Sequence, residues 1–351
     1  MNAEWSTFLA RVGAVLAPNQ VASFGRPDRE LQQALTDDIC CDLSHQGVMA
    51  ARGPDSETFL QGQFTCDVRR VTAEHSLIGA YCTPKGRALA CCRIFLHDQI
   101  HYLELPRSLL EPTLTRLRKY VMRAKTVLED ASDTMGRMGI AGPQTARLLN
   151  HHGLIVDETM APDAVQQTNH LTLIRLPGPI PRFEIHGPAQ QLAEVWQALS
   201  TSVAPVGAEA WRLLDILAGM PVVYPETVEA FVPQMLNLES LDGISFQKGC
   251  YTGQEIVARA HYLGKLKRGM VLARVDSPTP PHPGDSLFSS PAGSNQNAGQ
   301  LVDAARHPNG GYAVLAVVLL EIANEGVLHL GDASGPPLRL EPLPYSVATT
   351  R

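Results

Sequence analysis

The sequence predicts an α+β fold of layered sheets and helices that ends in a small strand-rich unit. A short apolar run followed by Gly-Pro and a helix-like segment occurs three times. After Arg268 the composition changes to short apolar stretches separated by Pro, Ser and Gly, which is typical of a small β-barrel or sandwich. The chain has 351 residues, more than one ordinary core serves, so two or three structural units are expected.

Each of the three repeated segments predicts a strand, a turn and a helix. Proline in the first helical turn costs no hydrogen bond, and the preceding glycine permits a sharp exit from a strand. The segments are VMAARGPDSETFLQG at 48–62, MGIAGPQTARLLNHHG at 138–153 and FEIHGPAQQLAEVWQAL at 183–199.

Other elements lie before and between these segments. Residues 1 to about 38 contain two helix-like segments joined by PNQVASFGRPD. Residues 88–96 and 100–105 are apolar or β-prone and flank the turn His-Asp-Gln, which predicts a hairpin. After the hairpin, the spacing of four apolar residues predicts one face of a helix: Leu110, Leu114, Leu117 and Val121.

Composition and charge exclude several classes of protein. Hydrophobic residues make up 44% and charged residues 18%, values of a soluble globular chain. The net charge of −6 gives no general attraction to nucleic acid or anionic lipid. The N-terminal residues lack the pattern of a signal peptide, and the apolar run Ala313–Leu320 is too short to span a bilayer. A cytoplasmic protein is expected.

The cysteines show no spacing of a metal site. Seven cysteines include the adjacent pairs Cys40-Cys41 and Cys91-Cys92, which suit neither a disulfide framework nor a CxxC zinc site. Neighbours on a strand point to opposite faces, so such a pair is a poor ligand set for one iron–sulfur cluster. Reduced thiols and no bound metal are therefore predicted.

Cys250 lies in the stretch KGCYTGQEIVARAHY, among residues that are poor neighbours for a buried thiol. The apolar spacing that follows predicts a short helix beginning near Gly253, with Glu255 and Arg259 at the i,i+4 spacing of an ion pair. Cys250 then precedes a helix N-terminus, where the helix dipole and Lys248 favour the thiolate. The alternative is an ordinary buried cysteine.

The string KGCYTGQE resembles the signature of the YgfZ-type folate-binding proteins, Lys-Gly-Cys-aromatic-x-Gly-Gln-Glu. The matching residues are Lys248, Gly249, Cys250, Tyr251, Gly253, Gln254 and Glu255. The similarity extends to Arg259 and to segments spread from about Cys40 to Ser346, so it takes in most of the chain. These segments are FLQGQFTCDV, PKGR, RKYVMRAKTVLED, FVPQMLNLESLDGISF and EPLPYS.

This resemblance implies a fold related to the T-protein of glycine cleavage, a tetrahydrofolate-dependent aminomethyltransferase. Three domains are then expected around a central channel that admits folate, the last of them a β-barrel. The expected divisions are a helical extension at 1–38, two interleaved α+β domains at 39–262 and the barrel at 263–351.

The resemblance also indicates candidate contacts for tetrahydrofolate. Trp211 matches a tryptophan that relatives use at the folate channel, where it stacks on an aromatic ring. Gln234 and Asn237 either turn the chain or bind the edge of the pterin. Lys85 and Arg87 either form a hairpin turn or receive the glutamate tail of folate.

The implied function is a folate-binding accessory protein that supports synthesis or repair of iron–sulfur enzymes, including radical enzymes that methylthiolate tRNA. Its expected partners are folate and these enzymes, with no direct contact to nucleic acid or membrane. Cys250 is the expected reactive thiol. Lys248 and the helix N-terminus would stabilise its anion, and Glu255 and Arg259 would support the motif.

Two alternatives remain open. One is a folate-dependent aminomethyltransferase, but T-proteins use an acidic residue after a Gly-rich hairpin turn, and residues 85–95 contain no Asp or Glu. Without that carboxylate the transfer lacks its usual agent, so enzymatic activity is uncertain and is not the expectation. Leu217 also replaces a glutamate common in relatives that can pair with the pterin, so either Asp215 or another acid compensates or folate binds more weakly. The other is a thiol enzyme that pairs Cys250 with one of the twelve histidines.

Overall fold

The computed structural model describes residues 1–154, 156–157, 159–168, 170–262, 266–289 and 296–347. Its helices are α1 Ala3–Arg11, α2 Pro27–Thr36, α3 Ser56–Gln61, α4 Arg107–Val121, α5 Thr145–His151, α6 Ala189–Leu199, α7 Ala208–Leu217, α8 Gln254–Tyr262 and α9 Leu320–Glu325. Short 3₁₀ turns occur at Val68–Arg70, Pro225–Thr227 and Pro233–Leu236.

The strands alternate with these helices. They are β1 Val15–Ala17, β2 Gln20–Ser23, β3 Ile39–Asp42, β4 Gln46–Arg52, β5 Leu77–Cys82, β6 Ala88–His97, β7 Ile100–Pro106, β8 Val127–Asp130, β9 Gly136–Ala141, β10 Val165–Thr168, β11 Leu171–Arg175, β12 Arg182–Gly187, β13 Ala204–Val206, β14 Arg268–Val275, β15 Ser286–Ser289, β16 Gln296–Arg306, β17 Tyr312–Leu319, β18 Leu328–Leu330 and β19 Leu338–Glu341.

The chain folds as two compact units. Unit 1 comprises Met1–Leu60, Val68–Leu77 and Arg93–Leu214, and unit 2 comprises Gln61–Asp67, Ile78–Cys92 and Asp215–Arg351, in each case for the described residues. The mixed α/β architecture agrees with the predicted fold class. The predicted domain divisions at residues 38 and 262 stay predictions.

Unit 1 contains a six-stranded sheet in the order β10-β11-β12-β9-β3-β13. All neighbours in it are antiparallel except β13 and β3, which run parallel. Its core packs the aromatic rings of Trp5, Phe8 and Trp196 beside apolar side chains of β9, β12 and α6. This burial of aromatic area stabilises the N-terminal helix against the sheet.

A second group of strands in unit 1 places β4 between β7 and β8, both antiparallel to it. The strand β7 also pairs with the second half of β6, as the predicted hairpin requires. Helix α4 covers β4 with the buried side chains of Leu110, Leu114 and Leu117. The hairpin and the predicted helical face are thus confirmed.

The three predicted strand-turn-helix segments are also confirmed as β4-α3, β9-α5 and β12-α6. The first 38 residues differ from the prediction, because β1 and β2 form a hairpin between the two expected helices. Asn19 in the turn has a φ of 56°, a left-handed conformation that asparagine tolerates well.

Unit 2 ends in a curled six-stranded sheet, a half-barrel, in the order β18-β15-β16-β17-β14-β19. Every pairing in it is antiparallel. Alternate residues of β14, β16 and β17 fill its core, as the composition after Arg268 predicted. Among the described residues, no helix has both the length and the apolar character needed to cross a membrane.

Candidate functional site

Cys250 differs from the other cysteines in its exposure. All seven lie within the described residues, and Cys250 is exposed while the other six are buried. Burial raises the pKa of the Cys66 and Cys91 thiols to about 12. Cys250 is therefore the thiol that another molecule can reach without local unfolding.

The loop around Cys250 leads directly into helix α8. The backbone N–H of Tyr251 donates to Gln254 Oε1 at 3.1 Å, and the backbone N–H of Gln254 donates to the Tyr251 carbonyl at 3.2 Å. A side chain that reaches back to an N–H just ahead of the helix is one half of a capping box. The predicted helix start is confirmed, and Cys250 lies immediately before this cap.

Two glycines pack the loop against the turn of the PKGR segment. Gly253 has a φ of 85°, and a Cβ atom there would lie 2.5 Å from the carbonyl oxygen of Thr83. Gly86, in the turn, has a φ of 67°, and its Cβ would lie 2.9 Å from Ile256 Cβ. Both glycines are required for backbone conformation and for close packing. The PKGR and KGCYTGQE segments therefore form one structure.

Gly249 has no such structural requirement. A Cβ atom at this position would have no neighbour within 4 Å, and the residue is exposed. Because folding does not demand a glycine here, the missing side chain leaves the approach to Cys250 open on this side.

Lys248 holds the loop to the segment Gln61–Asp67. Its Nζ donates to the carbonyl oxygens of Phe64 and Cys66, each at 2.6 Å, and lies 5.1 Å from the centre of the Tyr251 ring. Its charge is thus directed at backbone carbonyls and an aromatic ring. This contact positions the loop, and the predicted stabilisation of a Cys250 anion stays a prediction.

Gln234 and Asn237 also serve the structure around α8. Gln234 Nε2 donates to the carbonyl of Val257 at 2.6 Å, which fixes the helix to the turn Pro233–Leu236. Asn237 ends that turn with a φ of 56°, and its Nδ2 donates to the carbonyl of Met270 at 2.9 Å. Both side chains are buried, so they turn and anchor the chain; contact with a pterin stays a prediction.

Glu255 and Arg259 form the predicted i,i+4 pair on the exposed face of α8. Their side chains are 84% and 65% exposed, and the charged atoms are 3.4 Å apart. An exposed pair of this kind contributes only a few tenths of a kcal/mol. Support of the motif by this pair stays a prediction.

Lys85 and Arg87 lie in the turn that contacts the loop. Lys85 is exposed, whereas Arg87 is half-buried and donates to the carbonyl of Ala230 at 2.8 Å. The Thr83 carbonyl accepts the backbone N–H of Gly86 at 2.9 Å, which closes the predicted turn. The ammonium group of Lys85 is available to an anionic ligand.

Trp211, in unit 1, is 1% exposed. A Cβ atom at Gly139 would lie 2.4 Å from its ring, and the Arg182 guanidinium carbon lies 5.7 Å from the ring centre. The indole is therefore packed between a strand and a cation. Stacking on a ligand ring stays a prediction for this residue.

The residues predicted to contact folate fit this ligand only in part. A folate site needs an open aromatic face or polar edge for the pterin and cations for the carboxylates of the tail. The cavity lined by Gln234, Asn237, Glu239, Ser240, Ala260, Leu266 and Val347 has a volume of about 10 Å³, room for one water molecule. Among the residues predicted to contact folate, Lys85 and Arg87, in the turn, suit the anionic tail, and a site for the pterin stays a prediction.

One polar cluster in unit 1 has no counterpart in the sequence-based candidates. Glu184 and His186 lie two residues apart on β12, and Glu104 lies on β7; all three side chains are buried. The signal in the sequence was the Glu-x-His pattern of FEIHG, since alternate residues of a strand share a face. Glu104 is far from Glu184 and His186 along the chain, so the sequence did not show that it belongs to the same cluster.

The chain is similar in sequence to known proteins over most of its length. The tRNA-modifying protein YgfZ of Sodalis glossinidius (strain morsitans) is 33% identical over 306 residues, which are 87% of this chain and 92% of that protein. This chain belongs to the YgfZ family. The YgfZ of Colwellia psychrerythraea is 30% identical over 310 residues, 87% of this chain and 93% of that one. No protein-family model matches the chain.

The fold also matches that of a solved structure. The glycine cleavage aminomethyltransferase T of Bartonella henselae aligns with a TM-score of 0.75 and 16% identity, covering 100% of this chain and 99% of that one. At this identity the likeness establishes the T-protein-like fold of this YgfZ family member and leaves its activity open.

Proposed function

We propose that this YgfZ family member is a cytoplasmic, folate-binding accessory protein that supports iron–sulfur enzymes, including those that methylthiolate tRNA. Cys250 supplies a reactive thiol for this role. The relatives' name, tRNA-modifying protein, supports the link to tRNA. The link runs through the enzymes that modify tRNA, since the net charge of −6 gives the chain no general attraction to RNA.

The observation that carries this proposal is the exposure of Cys250 in a loop that is otherwise fixed. Lys248, Tyr251 and Gly253 on either side of it are held by hydrogen bonds or close packing. No hydrogen bond, ion pair or ring contact engages the Cys250 side chain among the described residues. A rigid loop that presents one free thiol is suited to reaction with another protein.

The proposed reaction is thiol–disulfide exchange with an oxidised pair of cluster-ligating cysteines in a client enzyme. The Cys250 thiolate attacks one sulfur of the client disulfide, a mixed disulfide forms, and the second client sulfur leaves as a thiolate. A low-molecular-weight thiol then attacks the Cys250 sulfur, which releases the client as a dithiol and leaves Cys250 in disulfide linkage with the small thiol. A second such thiol attacks the sulfur of the first, forms the small-molecule disulfide and frees the Cys250 thiolate, so the two electrons come from the two small thiols.

The surroundings of Cys250 favour the accessory role over the alternative, in which the protein is a thiol enzyme with its own general base. A nucleophilic cysteine in a hydrolase has a base within hydrogen-bonding reach. Among the described residues no histidine is hydrogen-bonded to Cys250. The imidazole of His261, on the helix that follows, lies 2.9 Å from Glu239 and stacks on Phe246 at 3.8 Å.

A complementation experiment tests the role of the thiol. A strain lacking its own copy of the gene is supplied with wild type, Cys250→Ser or Gln247→Asn, and methylthiolated nucleosides in its tRNA are measured by mass spectrometry. We expect the serine variant to lose the effect of wild type at equal protein level and thermal stability, while Gln247→Asn, a neighbouring exposed change outside the motif, retains it. Full complementation by Cys250→Ser would refute the proposal.

Folate binding is tested separately by calorimetric titration with tetrahydrofolate. Wild type should bind, and Lys85→Met should bind more weakly because the anionic tail loses its cation. Cys250→Ser should bind as wild type does, which places the thiol outside ligand capture. Absence of binding in wild type would contradict the folate part alone, and turnover of tetrahydrofolate with an aminomethyl donor would favour the one-carbon transferase.

A further inference from the structure

Three buried ligand atoms of unit 1 converge on one point. His186 Nε2 lies 3.6 Å from Glu104 Oε2 and 3.6 Å from Glu184 Oε2. One ligand atom from each of the three residues lies within 4.8 Å of the others. The side chains are 0%, 6% and 8% exposed for His186, Glu104 and Glu184. Two carboxylates and an imidazole of this kind are ligands for a borderline divalent metal ion.

The histidine itself points to a ligand. Neither ring nitrogen of His186 has a hydrogen-bond partner among the described residues, and 3.6 Å is too long for a hydrogen bond to either carboxylate. The other face of the ring packs against Phe95, with the ring centres 4.4 Å apart. A fully buried imidazole with unmade hydrogen bonds is costly, and this one is directed at two carboxylate oxygens.

The two N···O separations fit a metal ion bound to His186 and to a carboxylate oxygen. Zinc binds histidine nitrogen at about 2.0–2.1 Å and carboxylate oxygen at about 2.0–2.2 Å. With such bonds, the observed N···O separation of 3.6 Å corresponds to an angle of about 120° at the metal. This is close to tetrahedral and far from the right angle that octahedral magnesium requires.

Arg93 does not fill the point between the three ligands. Its Nη1 pairs with Asp163 at 2.5 Å and donates to Ser76 Oγ at 3.1 Å, which holds the guanidinium on one side. Its Nε lies 3.9 Å from Glu184, beyond hydrogen-bonding distance. The guanidinium thus lies beside Glu184 as a charge partner without a hydrogen bond to it.

We propose that Glu104, Glu184 and His186 bind one divalent transition-metal ion of the zinc class inside unit 1. The metal ties β7 to β12, the two strands that carry the ligands. This site lies on other strands than the Cys250 loop and does not depend on the function proposed for that thiol.

The test is a titration of the chelator-treated full chain with Co²⁺, a spectroscopic substitute for Zn²⁺. All variants carry Cys250→Ser, so that the exposed thiol cannot bind the probe. We expect one Co²⁺ per chain with the intense visible absorption of a near-tetrahedral site, displaced by one equivalent of Zn²⁺. Chelator should lower the Tm, and Zn²⁺ should restore it.

Variants locate the site. His186→Gln and Glu184→Gln should each weaken Co²⁺ binding by more than about 10-fold, the loss that even outer partners of a metal site cause. His101→Gln is the matched control, because His101 is also a buried histidine and lies three residues from Glu104 on β7. It should bind as the parent does.

Two results would overturn this proposal. One is the absence of stoichiometric Co²⁺ binding in the Cys250→Ser parent, which does not depend on whether any ligand variant folds. The other is unchanged affinity in folded His186→Gln and Glu184→Gln variants, which would place the metal elsewhere.

Discussion

Gly253 packs against Thr83 so closely that a Cβ atom on the glycine would lie 2.5 Å from the threonine carbonyl oxygen. This contact joins two sequence segments that are about 170 residues apart. The PKGR turn is therefore part of the support for the loop that carries Cys250. A substitution in either segment should therefore change the position of the Cys250 thiol.

Gly253→Ala should destabilise the protein by about 1–3 kcal/mol, because alanine has to adopt a left-handed φ and displace the Thr83 carbonyl. Gly249→Ala is the matched control in the same loop, since a Cβ atom there meets nothing within 4 Å. Urea denaturation measures both. Equal stabilities of the two variants would contradict the packing described.

Native protein should react with Ellman's reagent at one thiol per chain, and unfolded protein at all seven. The reason is that six cysteines are buried, and burial keeps the thiols of Cys66 and Cys91 protonated at neutral pH. Cys250→Ser should remove the native reaction. A second fast thiol in native wild type would show that one of the six is accessible.

Lys248→Met should lower the free energy of unfolding by about 1.5–3 kcal/mol, the range for a hydrogen bond to a charged group. The substitution keeps most of the apolar stem but leaves the buried carbonyls of Phe64 and Cys66 without this donor. Lys85→Met, at an exposed position of the neighbouring turn, should change stability by less than about 0.5 kcal/mol. Thermal melts of both variants measure these changes in stability and show whether the Lys248 contacts stabilise the loop.

Stability should fall as the pH drops from about 6.5 to 4, in part through His45. Burial, with the cations of Arg137 and Arg212, lowers the pKa of this histidine from 6.5 to about 4. In that window the unfolded chain binds a proton at His45 that the folded chain does not, so acid favours unfolding. His45→Gln should make the loss of unfolding free energy between pH 7 and pH 4.5 smaller. Parallel pH curves for wild type and variant would contradict this assignment.

Much of the fold was predictable because its signals are local. The Gly-Pro turns, the spacing of Leu110, Leu114 and Leu117, and the helix start near Gly253 each depend on residues a few positions apart. The hairpin of β1 and β2 was missed, since its strands are too short to show alternation.

The site was predictable where its signals are local: the position of Cys250, the helix that follows it and the Glu255–Arg259 pair. Cys250 stood out because its neighbours are unsuited to a core, and it is exposed. The carbonyl partners of Lys248 come from about 180 residues earlier in the chain, so sequence spacing could not reveal that its charge is engaged. The same holds for Glu104 and His186, which only the fold brings together.

The most direct test of the proposed function is mass spectrometry of Cys250 in protein taken from growing cells, with thiols blocked by rapid acid quench and alkylation. We predict that a fraction of Cys250 carries a client or small thiol in disulfide linkage, that this fraction increases when clients are oxidised, and that the six buried cysteines remain unmodified. Cys250 recovered entirely as the free thiol under both conditions, in cells where the protein supports tRNA methylthiolation, would contradict the exchange chemistry.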